Sequence, residues 1–163
     1  MSVSTLFGLL RHGQTIWNTQ GRLQGRLDSP LTSEGIAAVR EWAHFLGGPR
    51  WKWGRILCSP APRAVTTAQL INENLRVEVQ EEKDLREQDW GLWEGLRWSE
   101  IRTRYGDELQ AQIEQGWSFR PPGGESRSEV CDRARELLSR LGRRHGGEPI
   151  LVISHQGVMK SLL

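Results

Sequence analysis

Apolar runs alternate with segments of helical period along this chain. Thr5 to Leu10 forms an apolar run, the pattern of a strand buried on both faces. Ser33 to Leu46 carries Ile36, Val39, Ala43 and Leu46 at spacings of three and four. Gly47-Gly48-Pro49 stops that pattern, so a helix is predicted there. Arg55 to Ser59 predicts a second strand, and Pro62 to Asn74 a helix opened by proline. Leu75 to Val79 alternates and predicts a third strand. Between Ser126 and Arg144, Val130, Ala134, Leu137, Leu138 and Leu141 make a helical stripe, and Pro149 to Ser154 is again apolar and strand-like. Residues 13–30 lack a period and predict a loop. Residues 84–124 predict short helical pieces, with Pro121-Pro122-Gly123-Gly124 as a stop.

Strands alternating with helices indicate a mainly parallel sheet covered on both faces, a three-layer αβα sandwich of the α/β class. No internal repeat or low-complexity linker interrupts the 163 residues, and one domain over 1–163 is expected. In such sheets ligands gather beyond the carboxyl ends of the strands. Arg11-His12, Ser59 to Arg63, and His155 all fall at such ends. The expectation is one site built from three distant segments.

Composition narrows the partners. A net charge of +2, from 22 basic and 20 acidic side chains, gives no reason to expect nucleic acid or an anionic membrane. Cys58 and Cys131 are the only cysteines, far apart and outside any CxxC pair, which argues against a disulfide framework and a thiolate zinc site. With no signal-like start and no long apolar run, a reducing cytoplasm is the expected location. Eight tryptophans are many for this length. Most are expected to pack. Trp51 and Trp53 should cover a sheet edge, and Trp90, Trp93, Trp98 and Trp117 lie in segments able to surround a ligand.

The chemistry concentrates in Arg11-His12-Gly13. A neutral imidazole is a competent nucleophile near pH 7, and Gly13 would allow a sharp turn and a close approach of ligand to backbone. The Arg11 guanidinium can grip two phosphoryl oxygens at once. Arg63, near the first turn of a predicted helix, could add a second fork. His155 could donate a hydrogen bond to a phosphoryl group as charge develops. A leaving oxygen needs a proton, and Glu87, Asp89 and Glu94 are the local acids. Burial among tryptophans would raise such a carboxyl pKa and keep it protonated. Chemistry alone does not choose among the three.

Leu10-Arg11-His12-Gly13-Gln14-Thr15 with Trp17-Asn18 resembles the signature of the histidine phosphatase superfamily, the phosphoglycerate mutase-like enzymes. The likeness continues through Leu23 to Thr32, Cys58-Ser59-Pro60 with Arg63-Ala64 and Thr67-Ala68, and Leu85-Arg86-Glu87 with Gly91 and Trp93-Glu94-Gly95. Pro122 to Ser126 and Val152-Ile153-Ser154-His155 complete the order. The resemblance implies that His12 becomes phosphorylated and that Arg11, Arg63 and His155 complete the phosphate pocket. It implies that Glu87 protonates the leaving group and then activates water. Asn18 and Gln24 match positions that approach the phosphate. Gln156 stands where many relatives have glycine; its backbone N–H can still serve while its side chain narrows the entrance.

The same resemblance implies a metal-independent, cofactor-free reaction on a small phosphoester. It also implies further helix and strand after the second histidine, so the fold is expected to be short at its C-terminus. The apolar surface left there would favour a homodimer. A phosphoglycerate mutase and a catalytically weak phosphate-binding module are the rival readings. A protein phosphohistidine phosphatase is disfavoured because Glu87 supplies the acid that an alkyl ester needs.

Overall fold

A computed structural model describes residues 4–163; residues 1–3, part of the single domain expected from the sequence, lie outside the described residues. Strand β1 (Phe7–Arg11) is followed by a one-turn helix α1 (Ile16–Thr19), helix α2 (Ser33–Leu46), strand β2 (Arg55–Cys58), helix α3 (Pro62–Leu75) and strand β3 (Glu78–Glu81). Two short helices, α4 (Trp98–Arg104) and α5 (Gly106–Glu114), precede α6 (Arg127–Arg144), strand β4 (Ile150–Ser154) and α7 (Gln156–Leu162). All strand pairs are parallel, in the order β1-β4-β2-β3.

The pleat explains the layers. Ile56, Cys58, Leu151 and Ile153 point to one face and pack with Val39, Ala43 and Leu46 of α2 and Ala64, Ala68 and Ile71 of α3. Their neighbours Leu57, Ile150 and Val152 point to the other face, against Leu137 and Leu141 of α6. Successive residues serve opposite layers because the side-chain period of a strand is two. Val130 and Ala134 of α6 also meet Val158 of α7. The tryptophan-rich segment makes a satellite cluster of Trp93, Ile101, Leu109 and Phe119.

Three local expectations change. Strand β3 begins at Glu78, because α3 continues to Leu75 and Arg76 then turns in the left-handed region (φ 53°). The alternation at Leu75 to Val79 therefore straddles a helix end and a strand start. Strand β1 is only half-buried over Phe7 to Leu10. Its apolar run belongs to an outer position in the sheet, paired with β4 on one side. The predicted loop after β1 contains α1, which starts in a capping box between Thr15 and Asn18.

Trp53 packs across β1, and a Cβ on Gly8 would collide with its ring. Trp51 stacks on Trp53 at 5.4 Å between ring centroids. Gly8→Ala should therefore lower the unfolding free energy by about 1–3 kcal/mol, as overpacked cores do. Urea titration would check this, with Trp53→Leu relieving most of the cost. An unchanged midpoint for Gly8→Ala would contradict the packing described.

Candidate active site

Strand register gathers the chemistry. Arg11 pairs with Ser154, and Cys58 with Ile153, so β1, β2 and β4 end in nearly one plane. The His12 N–H donates to the Ser154 carbonyl at 3.0 Å, and the Ser59 N–H to the Ile153 carbonyl at 3.0 Å. The ladder thus continues one residue past the strands and fixes where His12, Ser59 and His155 project. The ring centroids of His12 and His155 lie 5.1 Å apart.

His12 is 6% exposed. Its Nδ1 lies 2.8 Å from the Gly13 carbonyl oxygen. A carbonyl only accepts, so Nδ1 carries the proton and Nε2 keeps its lone pair. Burial pulls the pKa from 6.5 down to about 3, opposed by the Gly13 hydrogen bond and assisted by the positive charges of Arg63 and Arg11. The ring is neutral at pH 7. Gly13 contributes differently from the sequence expectation. It does not use a positive φ; a Cβ there would press on Val39 and on the Gly35 carbonyl of α2. Its N–H donates to Thr67 Oγ1 at 3.0 Å, and Thr67 in turn donates to the Arg63 carbonyl. The turn after β1 is thereby tied to α3.

His155 is fully buried. Its Nε2 is 2.8 Å from Ser59 Oγ, and its Nδ1 is 3.3 Å from Arg63 Nη2. A guanidinium only donates, so Nδ1 accepts and Nε2–H donates to the serine. Burial, and then the charge of Arg63, hold the pKa well below 6.5. As a neutral ring His155 therefore has no free N–H to offer a ligand.

Arg63 is 2% exposed and its charge is matched. Nη1 donates to Asp28 Oδ1 at 2.7 Å and to the Leu27 carbonyl at 2.8 Å, and Nη2 donates to the Gly25 carbonyl at 2.9 Å. Its Nε is buried without a partner. Gly25 sits at φ 52°, where a Cβ would also strike the Glu94 carboxylate. Glu94 Oε1 accepts from the Arg26 and Trp90 N–H groups, which makes it a fastener of this loop.

Glu87 is half-buried. Its carboxylate accepts from the Gln88 N–H at 2.9 Å and from the Gly157 N–H, in the first turn of α7, at 3.1 Å. Backbone amides hold it, rather than the tryptophan surround expected from the sequence. Ser154 Oγ donates to the Leu85 carbonyl and Arg133 to the Glu87 carbonyl, pinning this segment to β4 and α6.

A cavity of about 720 Å³ opens over these groups. Arg11, His12, Asn18, Gln24, Arg63, Glu87 and Gln156 all line it. His155 does not; it stands behind His12. Asp89 and Glu94 are also outside the lining, so among the three acids only Glu87 faces the cavity. Asn18 Oδ1 is occupied by the Thr15 N–H, leaving its Nδ2 as the group it can offer. Gln24 is buried, and its Oε1 has no partner. Trp90, Trp98 and Trp117 form part of the wall, whereas Trp93 is core. Sequence reasoning missed Ser59 and Thr67 as positioning groups, and missed Arg22, Arg127 and Lys160 in the lining. Ser59 and Thr67 lie in matched motifs that left their roles unassigned, and Arg22, Arg127 and Lys160 have no distinguishing local pattern. No described group of three His, Cys, Asp or Glu is placed to hold a metal ion, and no described helix is long and apolar enough to cross a membrane.

The chain resembles known proteins along nearly its whole length. A phosphatase of uncharacterised role, PhoE of Bacillus subtilis, is 32% identical over 95% of this chain and 74% of its own length. A metal-independent phosphoserine phosphatase of Arabidopsis thaliana is 32% identical over 94% of this chain, which spans 65% of that protein. A mycobacterial glucosyl-3-phosphoglycerate phosphatase solved with VO3 superposes with a TM-score of 0.86 at 31% identity. That match covers 94% of this chain and 76% of the other. The family model of the histidine phosphatase superfamily (branch 1) matches residues 7–163, and the chain belongs to that superfamily.

Proposed function

We propose that this protein is a metal-independent phosphatase that hydrolyses a small-molecule phosphomonoester through a phosphohistidine on His12. The carrying observation is the buried, neutral His12 ring, whose Nδ1–H is held by Gly13 so that Nε2 has the lone pair. Arg11, and Arg63 through its unpartnered Nε, would hold the phosphoryl oxygens. Asn18 Nδ2, the Gln24 amide and the Gln156 backbone lie on the same wall and would add donors.

In the first step Nε2 forms a bond to phosphorus while the ester P–O bond breaks. The departing alkoxide takes the proton of the Glu87 carboxyl group. In the second, Glu87 as carboxylate takes a proton from water, whose oxygen attacks phosphorus. The P–N bond then breaks, and its electron pair returns to Nε2. His155 would act as a positioning residue behind His12. Its ring accepts from Arg63 and donates to Ser59, so it would keep the Arg63 guanidinium aimed at the phosphoryl site. Buried free Cys58 and Cys131 fit a reducing location, and we place the protein in the cytoplasm.

His12→Ala should abolish turnover, whereas EDTA should leave the wild type unaffected. Glu87→Gln should slow the first step, read as the single-turnover release of alcohol, by about 10²–10⁴-fold for alkyl phosphates and much less for p-nitrophenyl phosphate, because an acidic phenol leaves without a proton. Equal slowing of that first step for both esters would remove Glu87 from the acid role. The buried neutral ring also has a thermodynamic consequence. Between pH 6.5 and about 3 the unfolded chain holds a proton on His12 that the folded chain lacks, so acid favours unfolding. On lowering the pH from 6.5, the wild type should lose stability relative to His12→Gln by up to about 1.4 kcal/mol per pH unit. Parallel stability curves from urea titrations would contradict a neutral His12.

A further inference from the structure

The ionisable groups on the cavity wall are unbalanced. Arg11, Arg22, Arg63, Arg127 and Lys160 face it, opposed among the described residues only by the Glu87 carboxylate. A single phosphoryl group needs no more than Arg11 and Arg63. Arg22 is already occupied, donating to the Gly95 carbonyl at 2.7 Å and to Gln20, with Glu100 at 3.8 Å. Two cations are left over.

Lys160 has no carboxylate within 4 Å among the described residues, and neither does Arg127. Arg127 is nonetheless positioned. Its guanidinium lies 4.3 Å over the Phe119 ring, and Nη1 donates to the Gly116 carbonyl at 3.3 Å. The nearby acids are spent elsewhere: Glu125 on Arg133 and Arg26, and Glu129 on Arg120. Arg127 opens α6, and Val130, one turn on, also faces the cavity.

Lys160 has a defined place relative to the acid. Gln156, Gly157, Lys160 and Ser161 share the face of α7 that lines the cavity, as their spacing requires. The Gly157 N–H holds the Glu87 carboxylate. Lys160 is three residues beyond, about 4.5 Å further along the helix axis. Glu87 is the group proposed to meet the leaving oxygen, so Lys160 flanks the alcohol portion rather than the phosphoryl group. The Val130–Val158 contact brings the starts of α6 and α7 together, which sets Arg127 on the same side.

We propose that Lys160 and Arg127 form a second anion subsite, so that preferred substrates are phosphomonoesters whose alcohol carries its own carboxylate or phosphate. This rests on the phosphatase reading and goes beyond it in naming a substrate class and the residues that select it. Trp90, Trp98 and Trp117 supply the wall around the spacer between the two anions.

Matched pairs of esters test the subsite directly. 3-Phosphoglycerate against glycerol 3-phosphate isolates a carboxylate, and glucose 1,6-bisphosphate against glucose 6-phosphate isolates a second phosphate. The wild type should show a higher kcat/KM for the bis-anionic member of at least one pair, and the pair that responds identifies the anion. Lys160→Gln and Arg127→Gln should each reduce that ratio by about fivefold or more, mainly through KM, with Lys160→Arg restoring it. Both side chains are exposed, so the variants should fold. No preference in either pair, or ratios unmoved by both substitutions, would overturn the subsite while turnover of the simple esters leaves the phosphatase reading standing. No turnover of any ester by the wild type would instead remove the phosphatase reading and the subsite with it.

Discussion

The hydrogen bond from His12 Nδ1–H to the Gly13 carbonyl governs what the rest of the site can do. It leaves Nε2 as the ring nitrogen with a lone pair and fixes the direction in which that lone pair points. The bond depends on the path of the chain after β1. That path is set on one side by the His12 N–H bond to Ser154 and on the other by the Gly13 N–H bond to Thr67. Any Cβ at Gly13 would push the turn away from α2. Sheet register, helix packing and the His12 tautomer are therefore one connected constraint.

Burying the Arg63 guanidinium beside two imidazoles is costly unless its charge is answered. Asp28 and the carbonyls of Gly25 and Leu27 answer it. The loop that supplies them is thereby drawn over the site, bringing Gln24 to the cavity wall. The same positive charge helps keep both histidines neutral. The first turn of α7 holds the Glu87 carboxylate through the Gly157 N–H, so the groups proposed to react are fixed by strand ends and a helix start.

Much of this was legible from periodicity and from the ordered motifs. Three of the strands were placed to within a residue or two at each end, and the helices over 33–46 and 127–144 nearly to the residue. The drift of β3 has a local cause, since the alternating residues at Leu75 to Val79 overlap a left-handed helix cap at Arg76 that pattern alone does not show. Strand β1 was misjudged as buried on both faces because an apolar run reports hydrophobicity, not the position of a strand in the sheet. At the site, seven of the eight expected residues share the cavity. His155 stands behind it because its neighbours Ser59 and Arg63 occupy both ring nitrogens, a relation between residues 92 and 96 positions apart that no local pattern encodes. Lys160 and Arg127 were invisible for the same reason. Each reads as an ordinary surface cation until the fold sets it on the cavity wall.

The tautomer makes the most direct test possible, because it names the atom proposed to carry the phosphoryl group. Rapid mixing with a phosphoester, alkaline quenching and 31P NMR with peptide mapping would locate any phosphohistidine and distinguish its two isomers. Phosphorylation of His12 at Nε2 is the expected result. A phosphoryl group on Nδ1, or on another residue, would contradict it.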